Sequence, residues 1–71
     1  MKAKSTLEQR VAANLRAFRD NFELTQPQAA QRIGVGYRTL CTWEAGQRLP
    51  SGRNLAKLTK FYKVSVEVIF K

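Results

Sequence analysis

The chain has 71 residues, enough for one small domain, and its 44 % hydrophobic content is ordinary for a folded protein. One cysteine and no histidine exclude an internal disulfide and a Cys/His zinc site, and no apolar run approaches the roughly 20 residues of a membrane span. The formal net charge of +8 predicts a polyanionic partner: DNA, RNA or an anionic membrane surface. We expect no cofactor, no metal and no small-molecule ligand, and a cytoplasmic location.

The first predicted helix starts at a cap, Ser5 or Thr6, and runs to about Asn21. Its apolar residues are spaced four, four, three and four positions apart, which places them on one helical face. The members of this predicted inner face are Leu7, Val11, Leu15, Phe18 and Phe22. Residues 1–5 are predicted to form a flexible basic arm, with residues 6–71 as the folded domain.

Two short helices are predicted next, joined by only three residues. Thr25 and Gln28 have the spacing of a capping box at the start of the second helix. Gly34 is a natural end for that helix, because the residue after a helix often requires a positive φ. The third helix then begins directly after Gly36.

Helices joined by so short a turn must cross steeply, and a small residue such as Ala30 allows the close approach. In the third helix, Leu40 and Trp43 lie three positions apart and are predicted to point inward. Residues 26–45 therefore predict a helix-turn-helix unit, in which the second helix, about residues 36–45, enters the major groove of DNA.

Two further helices complete the predicted order. Gly46 ends the third helix, and Ser51 and Ser65 can each cap a new one. The predicted inner face of the fourth helix consists of Leu55, Leu58 and either Phe61 or Tyr62. The last helix is predicted over Val66 to Phe70. The expected fold is all-α, a compact bundle of five short helices.

Charge is unevenly distributed along the chain. Between Gln26 and Lys63 the only acidic residue is Glu44. The same stretch contains the basic residues Arg32, Arg38, Arg48, Arg53, Lys57, Lys60 and Lys63. The middle of the chain is therefore a positive surface around one buried or paired carboxylate, although a merely solvated basic face would show the same pattern.

From Val11 to Phe70 the chain resembles the Cro/repressor type of helix-turn-helix domain, the XRE family. The residues that carry the resemblance are Leu24-Thr25-Gln26, Ala30, Ile33-Gly34-Val35, Leu40, Trp43-Glu44-Ala45-Gly46, Arg48, Pro50 and Lys63-Val64-Ser65-Val66. The resemblance implies a lambda-repressor-like fold and a transcriptional repressor of bacterial or phage origin, nucleoid-associated, that binds double-stranded DNA sequence-specifically. Pro27, Ala29 and Gly36 depart from the usual family pattern.

The same resemblance implies roles for individual residues. Base contacts are expected from Tyr37, Arg38 and Thr42. Phosphate contacts are expected from Gln26, Thr39, Gln47, Arg48, Ser51 and Arg53. A partly buried ion pair is expected between Arg19 and Glu44. A homodimer on a near-palindromic operator is also implied, formed either in solution or only on DNA. It would use Val66 and Ile69, unless both belong to the core.

Other functional classes fit the sequence less well. An interaction module for a protein or RNA partner could use the same helices without reading DNA sequence. Exposed aromatic residues would favour single-stranded RNA, but Phe18, Phe22, Trp43 and Phe61 fall on predicted inner faces. A membrane-surface helix would not need the ordered turn signals. An enzyme is not expected, because histidine, a phosphate-binding loop and paired carboxylates are all missing from the sequence.

Overall fold

The computed structural model describes residues 6–71, so the predicted basic arm of residues 1–5 lies outside the described residues. Five helices follow one another along the described chain, which contains no strand. They are α1 (Leu7–Asn21), α2 (Gln26–Ile33), α3 (Tyr37–Glu44), α4 (Gly52–Tyr62) and α5 (Val66–Phe70). The predicted all-α bundle of five short helices is therefore confirmed.

Short polar side chains begin four of the five helices. Thr6 and Thr25 each form a capping box with a glutamine three residues later. The threonine hydroxyl accepts from the backbone N–H of the glutamine, and the side-chain carbonyl of the glutamine accepts from the backbone N–H of the threonine. Ser51 and Ser65 cap α4 and α5 with one such bond each. Gly36 starts α3 without a side-chain bond. Local sequence therefore determines where most helices begin.

The turn between α2 and α3 has the predicted geometry. Gly34 has φ +90°, a left-handed conformation that costs little only for glycine. The amides of Gly34 and Val35 both donate to the Ala30 carbonyl, at 2.9 and 3.0 Å. This arrangement closes α2 and directs the chain into α3 within three residues, which confirms the helix-turn-helix prediction.

The core lies where α1 packs against α3 and α5, and α2 against α3 and α4. Its buried members are Val11, Leu15, Leu24, Ala29, Ala30, Ile33, Leu40, Trp43, Leu58, Tyr62 and Ile69. The predicted inner face of α1 is wrong at both ends: Leu7 is 36 % and Phe22 is 43 % exposed. Leu7 is the first helical residue, and Phe22 is the C-cap, where the helical spacing no longer applies.

The two α5 residues that were predicted to form a dimer interface differ in burial. Ile69 is fully buried in the core, so its prediction as an interface residue is wrong and the alternative, a core role, is correct. The Asn14 amide helps to hold α5 against α1, because it donates to the Ile69 carbonyl at 2.8 Å. Val66, in contrast, is 45 % exposed. Within residues 6–71, no helix is both long and apolar enough to cross a membrane.

Candidate nucleic-acid interface

An open groove of about 290 Å³ runs between α3 and the start of α4. Its lining consists of Arg38, Thr39, Thr42, Trp43, Arg48, Leu49, Ser51 and Asn54. The groove thus brings together side chains from α3, from the loop after it and from the first turn of α4. Two of the predicted base-contacting residues, Arg38 and Thr42, lie here beside three of the predicted phosphate-contacting residues, Thr39, Arg48 and Ser51.

A second open groove of about 500 Å³ adjoins the first. It lies between the helix-turn-helix turn and α4, and three residues, Thr39, Ser51 and Asn54, line both grooves. Arg53 and Lys57 add positive charge to the second groove, and no acidic residue lines either one. We call this pair of grooves the α3–α4 surface. Its charged residues are all basic, and Trp43 and Leu49 are apolar members of its lining.

The hydroxyl of Thr42 is already engaged within α3. It donates to the Thr39 carbonyl at 2.7 Å, so its proton is used internally. The side chain therefore offers its methyl group and an oxygen lone pair to a ligand. These groups suit a thymine methyl or an amino group on a base edge.

Three predicted contact residues do not line the α3–α4 surface. Tyr37 is 51 % exposed, and a hydrogen bond with Cys41 raises the pKa of its phenol. Gln47 is exposed in the loop after α3, where its backbone amide donates to the Thr42 carbonyl at 3.0 Å. The third residue is Gln26, whose side chain faces into the domain.

Gln26 begins α2, and its amide bonds to a buried carboxylate. Its Nε2 donates to Glu44 Oε1 at 3.1 Å, and its Oε1 lies 3.8 Å from the Cys41 thiol. The family resemblance implied a phosphate contact at this position and a role in steadying α3, but it did not indicate Glu44 as the partner. In the described structure the side chain joins the start of α2 to α3. Pro27 has no backbone N–H, and the Gln28 N–H already donates to the Thr25 hydroxyl, so the start of α2 offers few free backbone N–H groups to a phosphate.

Glu44 is the centre of a hydrogen-bond network at the end of α3. Only 3 % of it is exposed, and its two carboxylate oxygens each lie 3.0 Å from Arg19 Nε. The same guanidinium donates from Nη1 to the Leu24 carbonyl at 3.0 Å, and hydrogen bonding to Glu44 raises the pKa of Arg19. Arg16, one turn earlier on α1, donates to the main-chain carbonyl of Glu44. The structure thus contains the predicted Arg19–Glu44 pair.

This network explains the charge of the surface. Glu44 is the only acid between Gln26 and Lys63, and it is buried against Arg19. The basic residues of the same stretch are exposed, except Lys57, which is half-buried and donates to the Gly34 carbonyl at 3.0 Å. The exterior of this region therefore carries positive charge alone, as a surface for a polyanion requires.

Sequence reasoning missed two residues that contribute to this region, Lys57 and Arg16. Lys57 lines the second groove beside Ser51 and Asn54. It follows Asn54 by three positions and Ser51 by six, a helical spacing that could have indicated a shared face. Arg16 lies three residues before Arg19, and this spacing on α1 was the available signal for its contact with Glu44.

The geometry defines a class: a helix-turn-helix domain whose α3 forms a basic surface together with the following loop and α4. Comparison with protein families agrees, because a helix-turn-helix family model, of the XRE type, matches residues 15–69. The chain belongs to this family, and it is a DNA-binding regulator of the helix-turn-helix type.

Curated relatives carry the same description. An uncharacterized HTH-type transcriptional regulator of Archaeoglobus fulgidus is 32 % identical over 56 residues, which are 79 % of each chain. Another, from Methanocaldococcus jannaschii, is 36 % identical over 56 residues, which are 79 % of this chain and 85 % of the relative. No solved structure matches the chain.

Proposed function

We propose that the chain is a transcriptional repressor that reads a specific double-stranded DNA sequence with α3 in the major groove. The observation that supports this best is the composition of the α3–α4 surface. Arg38, Thr39 and Thr42 from α3 share one groove with Arg48 and Ser51, and no acid lines it. Base-reading groups and phosphate-binding groups are thus available side by side.

Arg38 supplies the main base contact in this proposal. It is exposed on α3 and lines the groove. A guanidinium can donate two parallel hydrogen bonds to O6 and N7 of guanine, which discriminates against other bases by about 1–3 kcal/mol. Thr42 contacts a thymine methyl or an amino group at a neighbouring base, and Tyr37 contacts a base edge or a phosphate.

The remaining predicted contacts hold the DNA backbone. Arg48 and Arg53 pair with phosphates, and the hydroxyls of Thr39 and Ser51 donate to phosphate oxygens. Gln26 and Gln47 flank these residues at the start of α2 and in the loop after α3. Such contacts fix the position of α3 in the groove but carry no sequence information.

We also propose that two copies bind one near-palindromic operator. One helix-turn-helix unit reads only a few base pairs, and two-fold related units bind half-sites about 34 Å apart. On α5, Val66 and Val68 are 45 % and 40 % exposed, and this apolar surface favours contact with a second copy. Ile69 is buried and plays no part.

The wider setting follows from the family resemblance. The proposed protein is cytoplasmic and nucleoid-associated and has no enzymatic activity. Its repression acts by occupying the operator. A bacterial or phage origin stays a prediction, since both named relatives are archaeal.

Selection of bound sites from a random double-stranded DNA library, near physiological salt, tests sequence reading directly. We expect a short palindromic motif. Arg38→Ala should then relax one position in each half-site and weaken binding by about 1–3 kcal/mol. Arg10→Ala removes an exposed arginine from α1, so it controls for charge alone and should leave the motif unchanged.

Recovery of unselective, steeply salt-dependent binding would contradict the proposal. In that case charge alone would hold the DNA, as it does in nonspecific complexes. The chain would then act as a nonspecific binder or as an interaction module with another partner.

A further inference from the structure

A third open cleft, of about 580 Å³, lies between α2 and α4. Its lining consists of Arg32, Ile33, Lys57, Lys60, Phe61 and Lys63. The residues come from the last turn of α2 and from the second half and C-cap of α4. No residue of α3 lines this cleft, and only Lys57 is shared with the α3–α4 surface. We call it the α2–α4 cleft.

The cleft has more positive charge than the fold requires. Four of its six lining residues are cationic, none is acidic, and none of the four joins a salt bridge within residues 6–71. Cations at helix C-termini are favourable in themselves, because each end carries about −0.5 of an elementary charge. Two helix ends therefore offset about one positive charge, which leaves most of the cluster without a counter-charge.

The floor of the cleft is apolar. Phe61 is half-buried, and its ring centroid lies 5.4 Å from that of Phe22. Phe22 is itself 43 % exposed, so an aromatic surface continues beyond the cleft. The buried Ile33 closes the cleft where α2 ends. A ligand that only carried charge would leave the exposed parts of Phe61 and Phe22 in contact with water.

We propose that the α2–α4 cleft binds an acidic segment of a partner protein, with carboxylates at Arg32, Lys60 and Lys63 and one aromatic or large aliphatic side chain against Phe61. Charge complementarity selects an acidic partner, and the apolar floor selects a peptide over a nucleic-acid backbone, which presents phosphates and sugars. This function goes beyond DNA reading. Because no residue of α3 lines the cleft and only Lys57 is shared with the α3–α4 surface, we expect the partner and the DNA to bind at the same time.

A synthetic peptide tests the proposal with the full chain. The probe is a short fluorescently labelled peptide of Asp and Glu residues around a central Leu-Phe pair. Its matched control has Ser-Ser in place of Leu-Phe and the same charge. We expect the Leu-Phe peptide to bind at least about tenfold more tightly, because it alone covers the floor of the cleft. Equal affinities would overturn the proposal, since charge alone would then account for binding.

Charge-matched variants locate the binding site. The Lys60→Gln/Lys63→Gln double variant should weaken peptide binding about tenfold, because two screened charge pairs are lost. The Arg10→Gln/Lys71→Gln variant removes two exposed cations elsewhere and should change binding less than about twofold. Both pairs are solvent-exposed, so folding is preserved, which circular dichroism checks. Equal weakening by both variants would overturn the assignment to the cleft.

A titration with saturating operator-length duplex DNA separates this proposal from DNA binding. Unchanged peptide affinity in the presence of DNA supports a separate site. Displacement of the peptide by DNA, together with a matching loss of DNA affinity in the Lys60→Gln/Lys63→Gln variant, would make the cleft part of the DNA surface and overturn the proposal. Failure of the DNA selection experiment would leave the peptide result intact.

Discussion

Replacement of Glu44 by alanine should strongly destabilise the domain, in addition to any effect on DNA binding. Glu44 is only 3 % exposed, and its carboxylate accepts hydrogen bonds from Arg19 Nε and Gln26 Nε2. The Arg19 side chain is only 16 % exposed, so its guanidinium would stay largely buried. Its remaining partners would be the Leu24 carbonyl and the exposed carboxylate of Asp20, 3.8 Å away. Alanine supplies no counter-charge and leaves a void.

The magnitude follows from the burial of the pair. Removing one partner of a buried ion pair costs about 3–5 kcal/mol. A domain of 71 residues has a total stability of about 4–11 kcal/mol, from about 0.05–0.15 kcal/mol per residue. The loss is therefore at least about a quarter of the total, and the melting temperature should fall by at least about 12 °C.

Urea unfolding followed by circular dichroism measures the loss. Glu67→Ala is the matched control, because Glu67 is an exposed acid on α5 whose removal should cost less than about 1 kcal/mol. The Arg19→Met/Glu44→Leu double variant removes both charges and should recover much of the loss, as an apolar pair can replace a buried ion pair. A Glu44→Ala protein within about 1 kcal/mol of the parent would refute the argument from burial.

Three further substitutions test other features. Gly36→Ser should stabilise the domain by about 0.5–1 kcal/mol, because serine can cap α3 and restricts the unfolded chain. The new Cβ has room, since its nearest neighbour is Thr39 Oγ1 at 3.6 Å. An unchanged urea midpoint would contradict this prediction. Burial raises the pKa of Tyr62 to about 12, whereas the unfolded tyrosine ionises near pH 10, so the parent should lose stability between about pH 10 and 12. Tyr62→Phe should lose less over this range. Parallel pH profiles of stability for the two proteins would show that Tyr62 does not cause the loss. Val66→Asp places an acid in the first turn of α5, where it suits the helix dipole, so the helix should be preserved. In band-shift assays it should abolish cooperative binding to two half-sites and leave binding to an isolated half-site unchanged. Equal loss of binding to both DNAs would contradict the dimer proposal.

Helix boundaries could be predicted from sequence because local bonds determine them. Thr6, Thr25, Ser51 and Ser65 accept from amides only three residues ahead, and Gly34 ends α2 through its own backbone conformation. These interactions depend on neighbouring residues and not on how the helices pack. The failures occur where this local control ends, as at Phe22, which lies beyond the helical spacing of α1 and packs against Phe61 and Tyr62.

Contacts between distant segments could not be predicted in the same way. The bond between Gln26 and Glu44 joins residues 18 positions apart, and the bond between Arg16 and Glu44 joins residues 28 positions apart. Both depend on the angle at which α1, α2 and α3 cross. The Arg19–Glu44 pair was expected only through family resemblance. The α2–α4 cleft likewise exists only after two helices meet, so no single segment of sequence indicates it.

The single buried acid connects folding with the proposed DNA reading. Glu44 lies at the end of α3, and through Arg19 and Gln26 it ties that helix to α1 and α2. An exposed carboxylate at this end of α3 would repel phosphates, whereas a buried one orients the helix and leaves the exterior positive. Substitutions in the network should therefore reduce stability and DNA binding together. Substitutions on the exposed face of α3, such as Arg38→Ala, should reduce DNA binding alone, because no described hydrogen bond or salt bridge of the fold involves that side chain.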